Sequence, residues 1–167
     1  RSDNYKQWIY VETLENVWQF ANGLMNLPSN PYSYSDILIY DIAEENYWVL
    51  PGMSIQDAID ASTNNDVIHI TEGSYNEQLS VVGKDLVLNG DGKDKTFINS
   101  PDTLSTLYTT TSGPNKPIIY VNNSNSTIQN LTVDGLGKGN ANYRMQGISY
   151  YNAGGRVNNV EIKNVKD

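Results

Sequence analysis

The sequence has no cysteine, which excludes disulfides and any thiolate-held metal. It has one histidine, His69, and no Ser/His/Asp set can be argued from it. Basic residues are scarce: 11 Lys and Arg against 19 Asp and Glu give a net charge of −8. Without a basic stripe to track a phosphate backbone, nucleic acid is excluded as an expected partner. No apolar run approaches the roughly 18 residues of a membrane-spanning helix. The chain opens on Arg1 rather than Met and shows no leader pattern, which reads as a mature terminus or an excised piece.

What the sequence does have is Asn, Tyr and Gly, with 22, 12 and 13 copies, a composition that favours strands and turns over long helices. Charge divides the chain. Residues 1–66 carry ten acids and two bases, and residues 67–167 carry nine of each. The reading is therefore an acidic N-terminal segment, 1–50, followed by a repetitive unit, 51–167.

The N-terminal segment reads as a small α+β piece. Leu14, Val17, Trp18, Ala21, Leu24 and Met25 fall at helical spacing behind Thr13. Ile37–Tyr40 and Tyr47–Leu50 read as strands. Trp8, Trp18 and Trp48 all lie here, and a core of large side chains accounts for them better than a sugar-stacking platform does. After the Pro51-Gly52 turn, Ser54 is a good N-cap, with Asp57 three residues on. Ile55, Ala58 and Ile59 give the short helix one apolar face, suited to covering the open end of a stack of strands.

From Val67 onward the chain becomes short strands divided by Asn and Gly turns: 67–70, 79–82, 86–88, 96–98, 118–121, 128–133, 148–151 and 157–162. No helix-length pattern lies between them, which excludes βαβ units. Leu86-Val87-Leu88-Asn89-Gly90 lines up with Leu131-Thr132-Val133-Asp134-Gly135 and with Val160-Glu161-Ile162-Lys163-Asn164. Ile118–Asn122 lines up with Ile148–Asn152. Alternate residues face inward, and Gly or Asn takes the left-handed conformation at the corners. A unit that cannot bury its own apolar face must stack on the next. The segments 101–117 and 134–144 read as insertions that leave the stack. The fold class expected is all-β, a right-handed parallel β-helix with an N-terminal capping helix.

Residues 51–100 carry a more specific signature. Ser54–Ala61 leads into Asp66–Ile70, then Gly73-Ser74-Tyr75-Asn76-Glu77, Leu86–Gly92 and Thr96–Ile98. This resembles the opening of pectin-lyase-like right-handed β-helix proteins, in which a capping helix precedes a Gly-x-Tyr-x-Glu first coil. The resemblance covers about 50 residues, and only the repeat continues beyond. It implies a fold more firmly than a function, because the family holds polysaccharide lyases, hydrolases and epimerases as well as non-catalytic adhesin-like surface proteins.

A lyase of that family would need clustered carboxylates for Ca²⁺ and a Lys or Arg to take a proton beside the uronate carboxyl. Asp91, Asp134 and Glu161, with Lys138 and Arg144, are the candidates, but no column holds two stacked acids and Asp134 sits where a corner residue serves the turn. No acidic pair suits a hydrolase either. His69, between Ile68 and Ile70, points outward. Gly135–Gly139 lacks the Lys-Ser/Thr and helix of a phosphate loop.

The reading is a non-catalytic extracellular or cell-surface module with a structural, adhesive or glycan-associated role, no cofactor and no metal. The alternative is the N-terminal part of a secreted, Ca²⁺-dependent polysaccharide lyase. Tyr120, Tyr150, Tyr151 and Tyr143 are the candidates for contact with polysaccharide, with Tyr108 nearby in sequence and Tyr120 and Tyr150 expected to stack coil on coil. Asn122, Asn125 and Asn130 begin sequons. Val160, Ile162 and Val165 form a bare C-terminal edge, expected to meet either a further coil or a neighbouring copy in end-to-end self-association.

Overall fold

The computed structural model describes residues 7–11, 37–42 and 44–166. The helix expected over Leu14–Met25, Trp18 and the side chain of Trp8 lie outside the described residues. The described part is all-β with one short helix.

Its strands are β1 (Gln7–Val11), β2 (Ile37–Asp41), β3 (Asn46–Val49), β4 (Val67–Ile70), β5 (Gly73–Asn76), β6 (Leu79–Val82), β7 (Val87–Gly90), β8 (Thr96–Asn99), β9 (Tyr108–Thr110), β10 (Gly113–Asn122), β11 (Asn125–Asp134), β12 (Met145–Tyr151) and β13 (Gly154–Lys163). Helix α1 spans Ile55–Ala61.

The strands from β3 onward, β9 apart, form three parallel ladders. The first runs β3, β4, β7, then the first halves of β11 and β13, in the register Trp48↔His69↔Asn89↔Gln129↔Asn158. The second runs β5, β8, then the second halves of β11 and β13, through Tyr75↔Ile98↔Val133↔Ile162. The third is β6, β10 and β12, through Leu79↔Ile119↔Ile148. Each circuit visits the ladders in the same order. Strands β11 and β13 pass from one ladder to the next through Asn130 (φ 57°) and Asn159 (φ 50°). Asn accepts this left-handed bend at low cost because its short amide can bond locally.

Burial follows the two-residue alternation of strands. Ile68 and Ile70, Leu79 and Val81, Leu88, Ile98, Ile119 and Val121, Ile128, Leu131 and Val133 are all fully enclosed. The sheet continues across Pro51. Strand β3 pairs in parallel with β4, β2 pairs antiparallel with β3, and Ile37, Leu38, Ile39, Tyr47 and Val49 share the same core.

Helix α1 lays Ile55, Ala58 and Ile59 on that core, as its apolar face requires. Ser54 Oγ accepts from the Asp57 N–H at 3.1 Å. The Glu77 carboxylate then takes the N–H groups of Ile55 at 2.8 Å and Gln56 at 3.0 Å. At the other end Lys84 Nζ donates to the carbonyls of Ile59, Asp60 and Ser62. The Gly-x-Tyr-x-Glu motif is thus a structural clamp. Gly73 (φ 154°) lies where a Cβ would strike the Pro51 ring at 2.8 Å. The hydroxyl of Tyr75, a 3% exposed residue, donates toward the Val49 and Thr71 carbonyls at 3.0 and 3.1 Å.

Four expectations are corrected. Leu88 lies beside Ile128, not Val133, because β7 and β8 are two separate strands where β11 is one bent strand. Ile148 lies beside Ile119 rather than Ile118, so Tyr120 faces Ser149 and does not stack on Tyr150. Gly90 and Gly135 are not left-handed; they admit close backbone approach, since a Cβ there would meet Asn130 O at 2.3 Å and Asn164 O at 2.2 Å. Finally, residues 101–117 do not leave the stack. They bury Leu104 and fold β9 back antiparallel on β10.

Candidate functional site

Two surfaces collect the side chains able to recognise a ligand. The first lies on the outer face of the third ladder. With Ile119 and Val121 inward, Tyr120 points outward, and so do Ser149 and Tyr151 on β12. The returning arm inserts Tyr108 between the two tyrosines. Its ring stacks on Tyr120 at 5.4 Å and 12° and on Tyr151 at 4.6 Å and 24°, close to the offset geometry aromatic pairs prefer. The Tyr120 hydroxyl is pushed above its usual pKa, first by burial and then by Tyr151 and Tyr108.

A hydrogen-bonded floor holds this stack. Tyr108 Oη donates to Gln146 Oε1 at 3.1 Å, and Ser149 Oγ donates to the same oxygen. Gln146 Nε2 donates to Asn115 Oδ1 at 3.2 Å, which also accepts from Arg144 Nη2 at 2.9 Å. Asn115 is buried and Arg144 Nε is enclosed without a partner. The faces of Tyr108 and the buried ring of Tyr120 are consumed internally. Tyr151, 42% exposed, is the ring that meets solvent.

Of the other sequence candidates, Tyr143 is 75% exposed. Tyr150 lies on the inward row opposite Val121 and packs on the core. Its hydroxyl donates to Ser126 O at 2.9 Å and Arg156 O at 3.1 Å, and burial pushes its pKa up to about 12. The structure therefore joins Tyr120 to Tyr151 through Tyr108 and leaves Tyr143 and Tyr150 out of the stack.

The second surface is the outer row of the first ladder. Ile68 and Ile70 are buried, so His69 points outward, as its place in the sequence implied. It stacks on Trp48 at 4.2 Å and 13°. Asn89 Nδ2 meets His69 Nδ1 at 3.3 Å, and Asn89 Oδ1 accepts from Gln129 Nε2 at 3.0 Å and Asn130 Nδ2 at 2.8 Å. Beyond Gln129 the row opens into a depression of 590 Å³ lined by Val87, Thr127, Gln129, Arg156, Val157 and Asn158.

The sequon asparagines differ in setting. Asn125 is exposed and Asn122 half-buried. The Asn130 amide is tied into the corner: its nitrogen donates to Asn89 and its oxygen accepts from Asn159 at 2.9 Å.

Of the acids of the lyase alternative, Glu161 is exposed on β13, while Asp91 and Asp134 hold backbone at turns. Asp91 accepts from the Glu72 N–H at 2.8 Å. Asp134 accepts from Leu136 N–H at 2.8 Å and Asn164 Nδ2 at 2.9 Å, and pairs with Lys163 at 3.7 Å. Lys138 bonds Ser100 O and Asp102. Among the described residues no three His, Asp or Glu side chains cluster as metal ligands would. Both surfaces present ring faces, amides and hydroxyls, groups suited to non-covalent recognition.

At the edge, Val133 is fully buried while its ladder partner Ile162 is 46% exposed. Val160 and Val165 are half-buried, and Val157 is 49% exposed.

No protein-family model matches the sequence, and no curated protein matches it. Among solved structures, a pectin methylesterase mutant in complex with a hexasaccharide is similar, with 17% identity and a TM-score of 0.43 over 65% of this chain. The chain spans 44% of that structure's length.

The sequence readings passed over Gln146 and Asn115, and named Tyr108 only as a neighbour. Nothing in the sequence signals that the 101–117 arm turns back. The Trp48–His69–Asn89–Gln129 row was accessible in principle once the register is known, since Trp48 and His69 alternate with buried apolar neighbours and Asn89 and Gln129 each follow one.

Proposed function

We propose that residues 51–166 form the opening coils of a right-handed parallel β-helix, capped by α1, that serves as a non-catalytic extracellular or cell-surface scaffold associated with polysaccharide. One observation carries the scaffold reading. The repeat columns enclosed in β11 are open in β13: Val133 is fully buried and Ile162 is nearly half exposed. A strand of this kind completes its burial when another stacks in parallel upon it, from a following coil or a neighbouring copy. The glycan association is supported by Tyr151, an exposed ring held at a fixed angle by Tyr108, because a preorganised aromatic face suits a sugar ring.

Light scattering across a dilution series tests the edge. Concentration-dependent growth in mass, abolished by Ile162→Lys, supports stacking between copies. A monomer at every concentration, unchanged in stability by Ile162→Lys, overturns the edge reading. Affinity electrophoresis against neutral and acidic polysaccharides tests the second part, with Tyr151→Ala expected to remove any retardation. Ca²⁺-dependent formation of unsaturated product from a uronate polymer, lost in Arg144→Ala, would replace the scaffold with a lyase.

A further inference from the structure

The outer row of the first ladder contains one group whose protonation state the surrounding amides dictate. Asn89 Oδ1 accepts two N–H donors, from Gln129 at 3.0 Å and from Asn130 at 2.8 Å. An amide has a single oxygen, so this end of Asn89 is fixed and its Nδ2 must face His69. Nδ2 can only donate. With the amides in this arrangement, His69 Nδ1, 3.3 Å away, bonds Asn89 only through a lone pair, in the neutral imidazole with its proton on Nε2.

Reversing Asn89 alone would set its Nδ2 against two donors. Restoring every bond after reversal would require turning Gln129 and Asn130 as well, and then Asn159, whose Nδ2 donates to Asn130 Oδ1 at 2.9 Å. The polarity of the whole row, from β4 to β13, is thus linked to the state of one ring.

We propose that His69 is an acid-sensitive latch: neutral, it accepts from Asn89 and closes the amide row at its β4 end; protonated, it becomes a donor facing a donor and opens that junction between β4 and β7.

Among the described residues, the charged groups that bear on the ring are Asp91 after β7, Glu44 in the β2–β3 turn and Asp41 at the end of β2, and all three favour the imidazolium. Strands β3 and β7 carry no charged residue of their own. Burial acts against the cation and outweighs the acids, so the His69 pKa lies below 6.5. The stacked Trp48 covers one ring face at 4.2 Å and contributes to that burial. Cation–π attraction to the same indole favours the imidazolium. It leaves the clash at Nδ1 untouched, because that clash lies in the ring plane.

The single histidine makes the test direct, since every imidazole signal belongs to His69. Long-range ¹H–¹⁵N correlation spectra through a titration should show the Nε2–H tautomer at neutral pH and a pKa below 6.5. Asn89→Asp replaces the donor with an acceptor-only carboxylate, which welcomes a proton on Nδ1, so this variant should titrate above the parent. His69→Gln, whose carbonyl can accept from Asn89 without titrating, should have an unfolding midpoint that does not fall between about pH 7 and pH 5, whereas the parent's midpoint falls. An Nδ1–H tautomer in the parent, or a parent pKa at or above 6.5, would overturn the latch. So would an Asn89→Asp pKa no higher than the parent's, which would leave burial alone as the cause. If Asn89→Asp does not fold, the parent's tautomer and the His69→Gln profile still decide.

Discussion

Glu77 and Lys84, seven residues apart in sequence, hold opposite ends of the same helix. The Glu77 carboxylate takes the first free N–H groups of α1, and the Lys84 ammonium takes its last free carbonyls. Helix ends leave such groups without intrahelical partners, and the signs of the two side chains match the helix dipole. Charge-assisted hydrogen bonds contribute about 1.5–3 kcal/mol each at best. Glu77→Ala should therefore destabilise the protein by roughly 2–4 kcal/mol, and Glu77→Gln, which keeps one acceptor, by about half as much. Urea unfolding followed by circular dichroism measures both. A Glu77→Ala midpoint within error of the parent would contradict the clamp.

The motif containing Glu77 was legible as a resemblance, but its reason was not. Gly73, Tyr75 and Glu77 act on Pro51, Val49 and Ile55, about twenty residues earlier, and no local pattern states that distance. Register shows the same limit. Leu131-Thr132-Val133 alternates apolar and polar, as does Val160-Glu161-Ile162, so the sequence alignment of β11 with β13 matches the structure. Ile118-Ile119-Tyr120-Val121 is buried throughout, so alternation there favours neither of two registers one residue apart. The one-residue error followed, and with it the wrong partner for Tyr120.

Tyr108 fastens the 101–117 arm to the ladder. Tyr108→Ala removes two ring contacts, each worth about 0.5–1.5 kcal/mol, and the bond to Gln146. A loss of roughly 2–4 kcal/mol is expected, with higher exposure of Tyr120 and faster hydrogen exchange in 101–117. Tyr108→Phe keeps the stack and should cost about 1 kcal/mol. Equal losses for the two variants would mean that the rings contribute nothing.

Tyr75 sets an alkaline limit. Burial pushes its hydroxyl pKa up to about 12 from the ordinary 10.0. A raised acid pKa means that the unfolded chain loses the proton first. The associated stability is fully present below pH 10 and is lost as pH rises toward 12. Tyr150, likewise held near 12, adds to the same slope. The unfolding midpoint should fall across that window, and the fall should be shallower in Tyr75→Phe, which also loses about 1–3 kcal/mol at neutral pH through its missing hydroxyl bonds.

The last prediction separates two reasons for glycine. Gly83 has φ 70°, and a Cβ placed there meets nothing within 4 Å. Its need is conformational, and Asn, which tolerates the left-handed region, should replace it at a cost of a few tenths of a kcal/mol, with Ala costing about 1–2 kcal/mol. Gly90 is the opposite case. Its backbone is not left-handed, but a Cβ would lie 2.3 Å from Asn130 O and 3.0 Å from both the Leu131 and Thr96 Cβ atoms. The oxygen is backbone at the corner of β11, so relief means moving the strand that carries two ladders. It would also pull Asn130 away from Asn89. Overpacking of this kind costs about 1–3 kcal/mol and more when backbone must shift. Gly90→Ala should reach the upper end of that range, and Asn there should be no better than Ala. Urea midpoints of the four variants give the comparison. If Asn rescued Gly90 as well as Gly83, the requirement at Gly90 would be conformational and the close approach of β11 would not be its cause.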